Sequence, residues 1–111
     1  MTRTTAILLL LLASLLEAGG DALIRGGLHA TGLPKRALLF LAGAVVLFAY
    51  GWVVNAPPWD FGRLLGLYVV FFFVSAQFIA WRAFGQLPTR GVLIGGLLIV
   101  SGGLVIALSE I

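Results

Sequence analysis

Read for polarity alone, the chain is four long apolar stretches separated by three short polar breaks. The first stretch runs from Thr5 to Ile24, opens on the unbroken run Ala6–Leu12 and stops at Arg25-Gly26-Gly27. Residues 26–36 form the first break, with two glycines and then Thr31-Gly32-Leu33-Pro34, residues that interrupt helices and mark a surface connection. The second stretch, Ala37–Val54, ends at Asn55-Ala56-Pro57-Pro58-Trp59-Asp60, because paired prolines cannot continue a helix and the residue before a proline is pushed out of the α region. The third covers Phe61–Phe84 and is followed by the turn Gly85-Gln86-Leu87-Pro88-Thr89; the fourth fills Gly91–Ser109. A helix needs about 20 apolar residues to cross a bilayer, so the pattern predicts four transmembrane helices over 5–24, 37–54, 61–84 and 91–109. The expected fold is an all-α integral membrane protein, a single domain over residues 1–111 with no separate soluble part. Arg3 ahead of an apolar run also suits a cleaved signal peptide. A cleaved signal precedes a polar mature chain, however, and here more membrane sequence follows, so the first stretch is expected to be retained as a span.

Composition supports this reading. Apolar residues make up 61% of the chain and charged ones 10%, against roughly 45–50% and about 25% in soluble domains. A disordered chain is excluded, since such chains lack apolar surface to bury. With no cysteine there is no disulfide, thiolate metal site or cysteine nucleophile. The net charge of +3 does not point to nucleic acid, because the basic residues stand singly at segment ends, where they report orientation. Arg3 and Arg63 lie on the side of the N-terminus; Arg25, Lys35, Arg36, Arg82 and Arg90 lie at the first and third breaks. Positively charged loops stay in the cytoplasm, so both termini are expected outside the cell membrane and the first and third loops inside. Tyr50, Trp52 and Trp59 gather at one interface and Trp81 with Phe84 near the other, as anchoring belts do.

The candidate chemistry lies in the first stretch. Glu17, Asp21 and Arg25 recur every four residues and share one helical stripe, about 6 Å apart along the axis. Glu17 falls about 18 Å into the span, at or past the middle of the bilayer, where an acidic side chain costs several kcal/mol and signals function. Asp21 and Arg25 suit an ordinary salt-bridge ladder. Arg25 is two turns from Glu17, so that carboxyl is either protonated or faces a wet cavity. Ala18-Gly19-Gly20 follow Glu17 and leave the adjoining surface bare for a helix or ligand to approach. In the fourth stretch Gly91, Gly95, Gly96, Gly102 and Gly103 form stripes that suit backbone-to-backbone packing, either within the chain or across a dimer seam. Phe71-Phe72-Phe73 reads as lipid-facing, and Tyr68 is a mid-helix hydroxyl in need of a partner. His29 reads as a solvated loop residue. No hydrolase, metalloprotease or phosphate-loop motif is present, so no enzyme activity, catalytic residue, metal or cofactor is expected.

These residues resemble the small multidrug resistance family of the drug/metabolite transporter superfamily, and most closely its YnfA-type branch. Leu15-Leu16-Glu17-Ala18-Gly19-Gly20 is similar to that branch's first-helix segment around its membrane glutamate, and Arg25 stands where the family has a basic residue. Phe61-Gly62-Arg63 resembles the start of helix three, Phe84-Gly85-Gln86 the third turn, and residues 94–102 the fourth-helix dimerisation stretch. The resemblance implies that Glu17 is shared by protons and a small cationic substrate, that Tyr68 is the helix-three aromatic, and that Gly95 with Gly102 pack a homodimer. A heterodimer is the alternative. Two departures stand out: Val69-Val70-Phe71-Phe72 replaces the family's small residues, which implies a stiff helix three, and Asp21 is an extra acid beside the expected one, so that Glu17, Asp21 and Tyr68 are the expected proton- and substrate-binding residues. The function expected is proton-coupled efflux of small or lipophilic cations. The rival is an accessory membrane subunit, for instance half of a heteromeric lipid-carrier flippase.

Overall fold

The computed structural model describes residues 1–109; residues 110 and 111, the end of the expected domain, lie outside the described residues. The chain folds into α1 (Arg3–His29), α2 (Leu33–Val54), α3 (Phe61–Phe84) and α4 (Arg90–Leu108). Each helix is long and apolar enough to cross a membrane, so this is an all-helical protein with four membrane spans. Thr2 caps α1 by accepting from the Thr5 amide at 3.1 Å, and Thr89 caps α4 by accepting from the Val92 amide at 3.2 Å. At the end of α3, Gly85 turns left-handed with φ of 64°. Its amide donates to the Trp81 carbonyl and that of Gln86 to the Ala80 carbonyl, both at 3.0 Å, which satisfies two orphan acceptors.

The first break is shorter than the sequence pattern suggests. Helix α1 continues through Gly26 and Gly27 to His29, and α2 begins at Leu33, leaving 30–32 as the loop. Glycine costs a helix only about 1 kcal/mol relative to alanine, and Gly27 recovers it by receiving the Phe40 ring of α2, which an added Cβ would meet at 2.6 Å. Pro34 sits in the first turn of α2, where no amide is needed, and Gly32 takes the turn at φ 90°. His29 therefore belongs to the last turn of α1 rather than to a loop, and its Nδ1 donates to the Arg25 carbonyl at 2.9 Å.

The helices lie side by side in the order α2, α1, α3, α4: α1 packs on α2 and α3, α4 packs on α3, and among the described residues no other pair packs through its backbone. The molecule measures 53 × 35 × 19 Å. Its 35 Å breadth is that of four helices abreast at spacings of about 8–10 Å. Small residues set these contacts. Ala6, Ala13, Gly20 and Gly27 form one buried heptad stripe on α1, and the gap at Gly20 is filled by Leu47 of α2. Across the α3–α4 seam Gly96 receives Phe73, Gly103 receives Val70 and Gly66 receives Ile106. The core clusters near the loop between α2 and α3, where Leu10, Ala13, Val54, Leu64 and Tyr68 are buried together. There α2 and α3 meet through side chains, while toward the other end the surface between α1 and α3 opens into a cleft.

Candidate functional site

Glu17 lies one residue past the midpoint of α1, which places its carboxyl near the middle of the span. Its Oε1 accepts a hydrogen bond from the Tyr68 hydroxyl at 2.8 Å. Tyr68 is buried, 4% exposed, and reaches Glu17 because α1 and α3 approach closely. One turn before Glu17 on α1, Ser14 and Ser75 tie these two helices through a buried hydroxyl pair at 2.7 Å. Ser14 donates its single proton to the Leu11 carbonyl at 2.7 Å, so Ser75 donates to Ser14. This contact fixes the register that brings Tyr68 to the acid.

Aromatic rings line the space onto which the carboxyl opens. The Tyr68 ring has its centroid 5.8 Å from that of Tyr50 and 6.4 Å from that of Phe72. Together with Leu65 and Val69 these residues line a cavity of about 260 Å³ onto which Glu17 opens. The arrangement offers a cation a carboxylate and the electron-rich faces of aromatic rings at one place. Tyr50 was not legible as part of it: read as an interfacial anchor, it instead turns inward against Tyr68. Ser14 was also missed, although a polar residue one turn before Glu17 in an apolar run was the available signal.

The expected ladder between Asp21 and Arg25 does not form. Among the described residues they make no ion pair; the Arg25 guanidinium lies 5.4 Å from the Phe84 ring centroid. Both line a second cleft of about 250 Å³ between α1 and α3. Phe72 lines both cavities, which therefore adjoin at its side chain. The phenylalanine run thus does not simply face lipid: Phe72 borders the two cavities and Phe73 packs on Gly96. The glycines of α4 divide into two faces. Gly96 and Gly103 pack on α3, whereas at Gly95 and Gly102 an added Cβ would meet nothing within 4 Å among the described residues.

Comparison with known proteins fits this architecture. Residues 3–110 match the family described as "Uncharacterised BCR, YnfA/UPF0060 family". A UPF0060 membrane protein of Clostridium perfringens is 32% identical over 108 residues, covering 96% of this chain and 95% of that protein. One from Clostridium beijerinckii is 33% identical over 107 residues, with 91% and 90% covered. One from Methylibium petroleiphilum is 32% identical over 74 residues, 67% of this chain and 66% of that protein. No solved structure matches the chain. With four membrane spans, near-complete coverage by the family and relatives that are themselves membrane proteins, the chain belongs to the YnfA/UPF0060 family of multi-pass membrane proteins.

Proposed function

We propose that the protein is a proton-coupled exporter of small or lipophilic cations, with Glu17 binding proton and substrate in turn. The observation that carries this reading is the mid-span carboxyl held by the Tyr68 hydroxyl at 2.8 Å and opening onto a cavity walled by Tyr50, Tyr68 and Phe72. An acid in hydrocarbon is costly and therefore points to a task, and an aromatic wall beside it suits a desolvated cation. Coupling follows from competition. The carboxyl must lose its proton to bind the cation and lose the cation to bind a proton, so each moves against the other, provided the empty ionised form does not reorient.

A layer of four helices abreast leaves the site open on its flank, which favours a second copy completing the cavity. The free face of Gly95 and Gly102 is the seam we assign to that homodimer. The two-to-five charge count favours one orientation in the cell membrane, with both termini outside. A fixed orientation calls for a parallel pair or a partner of opposite bias. The rival reading, an accessory subunit of a larger lipid-carrier flippase, is favoured by one observation: α3 runs unbroken from Phe61 to Phe84 and offers no hinge.

The test is export driven by an imposed pH gradient in vesicles carrying the purified protein. Wild type should move a lipophilic cation against protons, and Glu17→Gln should fall to the level of protein-free vesicles while remaining folded and inserted. Gradient-driven transport retained by Glu17→Gln would remove the carboxyl from the mechanism. An inactive wild type that gains activity with a co-expressed partner would favour the accessory-subunit reading.

A further inference from the structure

The cleft between α1 and α3 beyond Phe72 carries a chemistry that Glu17 does not use. It presents one carboxylate, Asp21, and one guanidinium, Arg25, which share no ion pair among the described residues although they stand one helical turn apart. Opposite charges at this spacing ordinarily pair. Here Arg25 is drawn to Phe84 instead, and the two charged groups line the same cavity with Phe72 and Phe84 as walls, Ala22 leaving room between them and Gln86 at the rim. Arg25 is four residues from the end of α1, and Gln86 lies in the loop after α3, so the cleft opens at one membrane surface.

We infer that this cleft is a second binding site, for a small zwitterion whose ammonium group meets Asp21 and whose anionic group meets Arg25. The side chains leave the helix about 6 Å apart along its axis, which suits charges separated by several bonds and not the adjacent charges of an α-amino acid. Guanidinium binds phosphate or carboxylate through two parallel hydrogen bonds, and Asp21 supplies the matching acceptors for a primary ammonium. A phosphodiester linked to ethanolamine has this form, either as a free solute or as the headgroup of a lipid. The cleft's volume of about 250 Å³ admits such a group, and its position at the membrane surface makes it reachable from both sources. The inference does not rest on transport by Glu17, because Glu17 lines only the first cavity, Asp21 and Arg25 line only the second, and Phe72 alone borders both.

The experiment titrates glycerophosphoethanolamine onto the whole protein in nanodiscs of phosphatidylglycerol and reads binding by calorimetry. Wild type should bind it, with Asp21→Asn and Arg25→Gln each weakening binding at least tenfold and Glu17→Gln, one turn from Asp21, changing it by much less. Ethanolamine alone and glycerol 3-phosphate alone should each bind at least tenfold more weakly. Replacing the disc lipid with phosphatidylethanolamine should abolish the titration if the headgroup itself fills the cleft and leave it intact if the free solute is preferred; either result supports the site and identifies its source. Should Arg25→Gln fail to fold by circular dichroism, Arg25→Lys keeps the charge without the paired donors and should still weaken binding. Binding that is absent in wild type, that survives Asp21→Asn, that is lost in Glu17→Gln, or that ethanolamine alone reproduces would overturn the proposal.

Discussion

At the scale of single residues, Tyr68 shows what the site asks of its neighbours. Its hydroxyl donates to Glu17 from a buried position, and a hydrogen bond to a charged group is worth about 1.5–3 kcal/mol. Tyr68→Phe removes that donor while keeping the ring. It should weaken cation binding by about tenfold or more at unchanged fold, read by equilibrium binding to the purified protein; equal affinity would place the tyrosine outside the site. Glu17 was legible in the sequence because one acid in the middle of an apolar run is conspicuous. Tyr68 was legible too, as a mid-helix hydroxyl in need of a partner, whereas the groups that position the pair were not. Tyr50 comes from α2 and Ser75 from α3, and only the packing of those helices on α1 decides whether a polar side chain turns inward or marks an interface.

At the scale of helices, the glycines separate internal packing from free surface. Gly96 and Gly103 seat Phe73 and Val70, so Gly96→Leu and Gly103→Leu overfill an internal seam and should each cost about 1–3 kcal/mol of stability. Gly95 and Gly102 face away from the chain, so Gly95→Leu and Gly102→Leu should leave the unfolding temperature nearly unchanged and convert a solubilised dimer to monomer. Thermal unfolding together with light scattering distinguishes the two pairs; a dimer that survives Gly102→Leu would move the seam elsewhere. The spans were legible because hydropathy reports them directly, and α3 has the bounds its flanking Pro58 and Gly85 imply. The longer α1 was not, because Gly26 and Gly27 read as breakers. A glycine that receives a neighbour's ring serves a helix as well as alanine would, and that ring is supplied by α2, beyond the reach of local pattern. The same holds for the α1 ladder, where Arg25 lies over the Phe84 ring of α3 and makes no ion pair with Asp21 among the described residues.

At the scale of the whole molecule, four helices in a row define a protein with two broad faces and little interior. Exposed Phe48, Leu97 and Leu98 suit lipid contact, and the polar groups concentrate between α1 and α3. Orientation follows from charge: the absence of native cysteine allows single-cysteine labelling without background, and His29→Cys and Thr89→Cys should react from the cytoplasmic side, with tags at both termini reporting the outside. Equal labelling from both sides would mean dual insertion and an inverted pair in place of a parallel one. The central claim, that one carboxyl serves proton and cation by competition, is tested most directly by proton release. A lipophilic quaternary ammonium ion added to purified protein in weakly buffered solution should release protons from wild type and none from Glu17→Gln. Cation binding to wild type with no proton released would contradict the account.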